Sequence, residues 1–135
     1  MKPNIETVKW IDFHTINDER GALTAIEENK SIPIEIKRIF YMHQVISDRG
    51  GHAHIDTDQV IVAMSGTFSV KLFDGVNEQI FDFNTSTRGL YVPRLLFTDL
   101  YNFSEGAVCL VLANTHYDMS KSLRDIDSYM SHLNG

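Results

Sequence analysis

The sequence predicts an all-β chain: a single jelly-roll-type β-barrel followed by one C-terminal α-helix. Three observations carry that expectation. Short apolar segments are punctuated by Gly, Asn and Asp, and only three prolines occur, the pattern of many short antiparallel strands. Lys71-Leu-Phe-Asp-Gly75 ends one such segment in an Asp-Gly pair, a strong short-range hairpin signal. The tail breaks the pattern, because Leu123, Ile126, Met130 and Leu133 recur every three or four residues, as one face of an amphipathic helix does.

Each element follows from the same reading. Residues 5–13 and 22–26 read as N-terminal strands. Ser65-Gly66 separates residues 60–64 from 67–73. In the second run Phe68, Val70 and Leu72 alternate with Thr67, Ser69 and Lys71, so one face is apolar and the other polar. Further strands are expected at 36–45, 78–83, 89–92, 99–103 and 107–113. The helix is expected over about 119–133, with Asp118 or Ser120 as its cap. Such strands with one terminal helix point to a jelly roll or a related barrel.

The chain has 135 residues, the size of one domain spanning 1–135. Hydrophobic residues make up 43%, enough for a real core. A formal charge of −6 argues against nucleic acid as a partner, since phosphate backbones select basic surfaces. A small anionic ligand needs only a few local arginines and stays open. Cys109 lies in the apolar run Ala107-Val-Cys-Leu-Val-Leu-Ala113 and reads as core filler, with no second cysteine for an internal disulfide. The first residues lack the apolar stretch of a signal peptide, and no run approaches membrane-spanning length. A cytoplasmic chain without a membrane partner is the expectation.

The most informative stretch is Arg49-Gly-Gly-His-Ala-His-Ile-Asp-Thr-Asp-Gln-Val60. His52 and His54 are two apart, which on a strand puts both imidazoles on one face. Gly50, Gly51 and Ala53 leave room beside them. The spacing fits the first cupin motif, with His52, His54, Gln59 and Gly66 in its slots. Gln59 stands where that motif has glutamate, and an amide is a weaker metal donor than a carboxylate. The second cupin motif places a histidine five residues after a proline; from Pro93 that slot is Thr98. Two histidines rarely hold a catalytic metal, which normally has three protein ligands. The expected reading is a cupin barrel without metal or other cofactor that works by acid–base chemistry. A metal-dependent cupin, with water completing the ligand set, is the competing reading of the same residues.

With these residues in hand, the chain resembles the dTDP-4-keto-6-deoxyglucose 3,4-ketoisomerases, a sugar-isomerase group of the cupins. The resemblance runs through Leu23-Thr-Ala-Ile-Glu27, Ile36-Lys-Arg-Ile-Phe-Tyr-Met42, Arg49-Gly-Gly-His-Ala-His54, Gly89-Leu-Tyr-Val-Pro93 and Asp99-Leu-Tyr-Asn-Phe-Ser104. It continues through Tyr117-Asp118 and Arg124-Asp125. It implies a dTDP-linked 4-keto-6-deoxyhexose as substrate, its 3-keto isomer as product, and later amination of that product. It implies no metal, and a homodimer that often exchanges N-terminal strands. The chain departs from the family at Phe40, where a tyrosine is common, and at Ile55 and Phe97.

Moving a ketone from C4 to C3 requires a base near neutral pKa and donors for the developing oxyanion. Histidine supplies both roles at cellular pH. His52 is expected as the main base and His54 as its partner. Arg49 and Arg38 are expected on the diphosphate, which guanidinium groups bind bidentately. Arg94, with Arg88, brackets Gly89–Pro93 as a further nucleotide contact. Gln59 is expected to point inward toward a sugar hydroxyl. Tyr41, Asp99 and Tyr101 complete the expected substrate contacts, and Phe97 and Tyr91 are candidate stacking partners for thymine. His14, His43, His116 and His132 read as incidental, with His43 sharing Tyr41's face. Two readings compete with the ketoisomerase: a dTDP-sugar epimerase-like cupin and a non-catalytic nucleotide-sugar-binding barrel.

Overall fold

Burial on one face or on both decides where each strand sits. The structure, a computed structural model, describes residues 2–135. A 3₁₀ turn at Ile5–Thr7 leads into β1 (Lys9–Asp12), β2 (Thr15–Asp18), β3 (Gly21–Thr24) and β4 (Arg38–Met42). There follow β5 (Arg49–His54), β6 (Gln59–Ser65), β7 (Phe68–Phe73) and β8 (Glu78–Phe83). Next come β9 (Arg88–Val92), β10 (Phe97–Tyr101), β11 (Val108–Ala113), β12 (Ser122–Leu123) and α1 (Ile126–Asn134).

Two five-stranded antiparallel sheets form, in the orders β1-β9-β6-β11-β4 and β12-β5-β10-β7-β8, with β2-β3 a separate hairpin. The expected barrel is a two-sheet jelly-roll sandwich, since the two sheets do not share a continuous ladder. The Asp-Gly signal marks the β7–β8 hairpin, where the Asp74 carboxylate accepts from the Val76 and Asn77 amides. The core lies between the sheets, where Phe68, Val70 and Leu72 of β7 meet Ile61, Leu90 and Val111 from the facing sheet. Each such buried side chain stabilises the fold by about 1.5–3 kcal/mol. Cys109 belongs to this core, and burial pushes its thiol up to about 12, so it is inert filler.

β6 reads Val60-Ile-Val-Ala without alternation because both of its faces are covered. Ile61 points into the sandwich, whereas Val60 and Val62 pack outward against Phe13, Ile32 and Ile34. On the outer face of the other sheet, Ala53 and Phe97 pack under Tyr129, Met130 and Leu133 of the helix.

The helix is shorter than the periodicity suggests. It begins at Ile126, where the Asp125 side chain accepts from the Ser128 amide at 2.7 Å. Asp118 caps a 3₁₀ turn at Met119–Lys121 instead. Leu123 belongs to β12, paired with Ala53, and Ile126 is exposed while Tyr129 is fully buried. Sheet pairing with β5 satisfies this backbone, so no helix is needed to do so. The strand expected at 99–103 is shifted to Phe97–Tyr101 because Asn102 turns the chain with φ +59°.

Candidate active site

Both histidines emerge from β5 on its inner face, because Ala53 between them packs outward under the helix. Their rings stand edge to face with centroids 4.9 Å apart. Arg49 reaches the same cavity by a bulge. His52 pairs with Thr98, Gly50 with Asp99 and Arg49 with Leu100, so two residues on β5 oppose one step on β10. In a regular strand Arg49 and His52, three apart, would point to opposite faces; the extra residue, Gly51, puts them on one side. Gly50 and Gly51 have φ +94° and +72°, which glycine adopts without steric cost. A Cβ on Gly50 would also lie 2.6 Å from the Thr98 carbonyl oxygen.

The cavity is about 380 Å³ and opens at the end of the sandwich. Arg38 and Phe40 reach it from β4, and Asp56 and Thr57 from the β5–β6 loop. The β11–β12 connection adds His116, Tyr117 and Asp118, and Arg124 closes the side nearest the helix. The Arg38 guanidinium lies between two aromatic rings, 5.2 Å from Phe40 and 5.5 Å from Tyr117. Its Nε is buried without a hydrogen-bond partner among the described residues. A buried cationic donor left unsatisfied is costly, and an anion in the cavity would satisfy it.

A smaller cavity of about 180 Å³ adjoins this one, sharing Phe40, Arg49 and His52. Gln59 and Thr98 line it with Met42, Ile61, Leu100 and Val111. Gln59 is buried at 7% exposure and borders the cavity, as its place in the motif predicts. The two cavities form a cleft with a cationic mouth and a largely apolar inner end.

Burial is the main influence on both imidazoles. It lowers the His52 pKa below its ordinary value of 6.5, assisted by Arg124 and Arg49 and opposed by the Gly50 backbone and Asp99. His54 falls to about 4, again mainly by burial, then through His52 and Arg38. Both rings are neutral at neutral pH: His52 is free to accept a proton and His54 to donate a hydrogen bond.

The ligand positions of a metal-binding cupin do not suit a metal here. Only His52 and His54 are strong donors, and the Thr98 hydroxyl is engaged with the Leu96 carbonyl at 3.1 Å. Among the described residues no group of three or more His, Cys, Asp or Glu is placed to hold an ion.

Several expected contacts lie elsewhere. β4 alternates, so Arg38, Phe40 and Met42 face inward while Ile39 and Tyr41 face out. Tyr41 borders the smaller cavity, but it is 60% exposed and its ring lies against His43. Asp99 and Tyr101 pair with Lys71 and Ser69 on the outer face of β10, opposite the cavity-facing Thr98 and Leu100. Asp99 still acts on His52 through its charge. Arg94 is held by Asp58 through its backbone amide, Nε and Nη2, outside the histidine cavity. Arg88 lies 3.8 Å over the Trp10 ring, and Phe97 packs against Tyr129 beneath the helix.

Lining residues that were not read as site residues from sequence include Arg124, Tyr117, Asp118 and His116. The first three stand in Tyr117-Asp118 and Arg124-Asp125, motifs that carry the family resemblance. His116 has no such signal, because the loop brings it to the cavity across the sandwich.

A jelly-roll sandwich with an inward His-x-His strand defines a cupin-type protein. More particularly, the chain belongs to the FdtA family, described as WxcM-like, C-terminal, whose model matches residues 6–134. A TDP-4-oxo-6-deoxy-alpha-D-glucose-3,4-oxoisomerase from Aneurinibacillus thermoaerophilus is 38% identical over 127 residues, 93% of this chain and 91% of that protein. A 3,4-ketoisomerase from Helicobacter canadensis superposes with a TM-score of 0.92 at 37% identity, covering 95% of this chain and 98% of that one. The sugar 3,4-ketoisomerase QdtA from Thermoanaerobacterium thermosaccharolyticum, crystallised with TDP, gives 0.93 at 34% identity and 97% coverage of both chains.

Proposed function

We propose that this chain, an isomerase by family, carries a TDP-linked 4-keto-6-deoxyhexose to its 3-keto isomer with His52 as the proton-transferring base. The single observation that carries the reading is the meeting of a neutral histidine pair with Arg38, Arg49 and Arg124 in one cleft. The arginines suit a diphosphate, and the unpartnered Arg38 Nε marks one place for an oxygen. The apolar inner end suits a deoxyhexose, with Gln59 facing a sugar hydroxyl.

The chemistry balances without an external reactant. His52 takes the proton from C3, and the electrons move into the C4 carbonyl to give an enediolate. The neutral His54 N–H donates to the developing oxyanion, as preorganised donors do in oxyanion holes. The hydroxyl proton passes from O3 to O4, C3 becomes the ketone, and the His52 imidazolium, after exchange with solvent, returns a proton to C4 and is neutral again. No metal step is needed, and the donor set offers none. A ketone at C3 is then a substrate for amination, which supports a role in making a 3-amino-3,6-dideoxy sugar.

A homodimer is part of the same proposal. Ile39 and Tyr41 stand exposed on edge strand β4, and Ile16 and Leu23 on the unsupported β2–β3 hairpin. Light scattering tests the dimer: a mass near twice 15.4 kDa is expected, and a monomer at micromolar concentration rejects it. Product analysis by NMR tests the reaction: a 3-keto sugar nucleotide is expected, while a C3- or C5-inverted 4-keto sugar would assign an epimerase.

A further inference from the structure

The bend between β9 and β10 holds a residue in an unfavourable conformation behind the histidines. Leu95 has φ +66°, a left-handed value that leucine seldom adopts. Both of its backbone polar groups are engaged. Its N–H donates to the His54 carbonyl at 2.8 Å. Its carbonyl accepts from the Tyr129 hydroxyl at 2.7 Å. The same hydroxyl lies 3.0 Å from the Phe73 carbonyl, so one phenolic proton serves two acceptors.

Tyr129 is fully buried. Its ring packs against Phe97 and Phe73, with centroids 5.4 and 6.1 Å away. It shares a cluster with Ala53, the residue between the two histidines. The helix it anchors begins at the Asp125 cap, directly after the cavity residue Arg124. One side chain thus backs the histidine strand, fixes the Leu95 bend and seats the helix next to Arg124. Packing alone would require only the ring, yet the hydroxyl is aimed at the one bend residue that holds His54.

We infer that Tyr129 is a positioning residue for the histidine pair, acting through the Leu95 backbone to fix His54; this rests on the histidine reading of the site. Tyr129→Phe keeps the ring and removes the bond. Loss of positioning is expected to lower kcat about tenfold to a hundredfold, the scale on which small misplacements act, with KM within about twofold. The His54 ring resonances of ¹⁵N-labelled protein are expected to shift, while those of His14, remote from the helix, stay put as an internal control. Adding Leu95→Gly lets the bend form without steric cost, so the double variant should recover part of the lost kcat.

Unchanged kcat and unchanged His54 resonances beside a lowered Tm would reduce Tyr129 to packing and overturn the inference. If Tyr129→Phe does not fold, hydrogen exchange of the wild type decides: the Leu95 amide should be protected like the β5–β10 ladder, and loop-like exchange overturns it. The histidine resonances need no substrate. A wild type without turnover but with His54 responding to Tyr129→Phe would defeat the functional reading and leave the positioning role standing.

Discussion

His52 and His54 meet edge to face at 4.9 Å between centroids, and burial first, then the neighbouring His52, keeps His54 from carrying a proton. Burial also lowers His52 most, and the arginines add to the field, Arg124 and Arg49 on His52 and Arg38 and Arg124 on His54. The pair is therefore neutral where the enzyme works, with one ring to take a proton and one to donate a hydrogen bond.

The two histidines should separate kinetically. His52→Asn removes the base, and kcat should fall by about a hundredfold to ten-thousandfold, the usual range for a general base. His54→Asn keeps a donor near the oxyanion and should lose less. Titration with TDP should find both variants binding the nucleotide within a few-fold of wild type, because the arginines are intact.

Acid should weaken the fold before it disrupts carboxylate pairs. The unfolded chain protonates His54 near 6.5, whereas the folded chain resists until about 4. Protons therefore favour the unfolded state, so stability is full above about pH 6.5 and declines as pH falls toward 4. For His54 alone the loss is on the order of 3 kcal/mol. Urea titrations of wild type and His54→Asn across this window check it, and the variant should show a shallower decline. The acid limb of kcat/KM should likewise lie below 6.5, since the His52 pKa is lowered.

Charge at the mouth should control binding more than turnover. Arg124→Ala and Arg38→Ala should each weaken TDP binding about tenfold to a hundredfold, as hydrogen bonds to charged groups do. Arg38→Lys keeps the charge but loses the planar fork between Phe40 and Tyr117, so it should recover only part. Isothermal titration at two salt concentrations measures this. Arg94→Ala, by contrast, should leave binding unchanged and lower Tm slightly, because Arg94 is occupied by a partly exposed pair with Asp58.

Gly50 tests the bulge. Gly50→Ala must adopt φ +94° and push its Cβ against the Thr98 carbonyl, at a cost of about 1–3 kcal/mol or more. If it folds, Arg49 and His52 should no longer share the cavity, and kcat/KM should fall further than Tm alone explains.

Much of this was legible in the sequence because periodicity is local. Alternation in residues 67–73 gave both the strand and its buried face, and the His-x-His spacing placed two imidazoles together. Gln59 pointed inward as its motif slot required. The losses have physical causes. Alternation gives relative faces but not which face is the core, so Tyr41 was placed inward when Phe40 is. Asp99 and Tyr101 share the outer face of their strand, and Thr98 holds the inner one. The helix pattern ran back to residue 119 because a 3₁₀ turn and the short β12 mimic its spacing, and only the Asp125 cap marks the true start. Arg124 and His116 reach the cavity through pairings distant in sequence, which no local pattern records.

The most direct measurement is NMR of TDP-4-keto-6-deoxyglucose turned over in D₂O by the wild type and by His52→Asn. The account predicts a 3-keto product carrying deuterium at C4 for the wild type, formed at least about a hundredfold more slowly by a folded variant that still binds TDP. Formation of the same product by His52→Asn at an undiminished rate would contradict it and move the base elsewhere in the cleft.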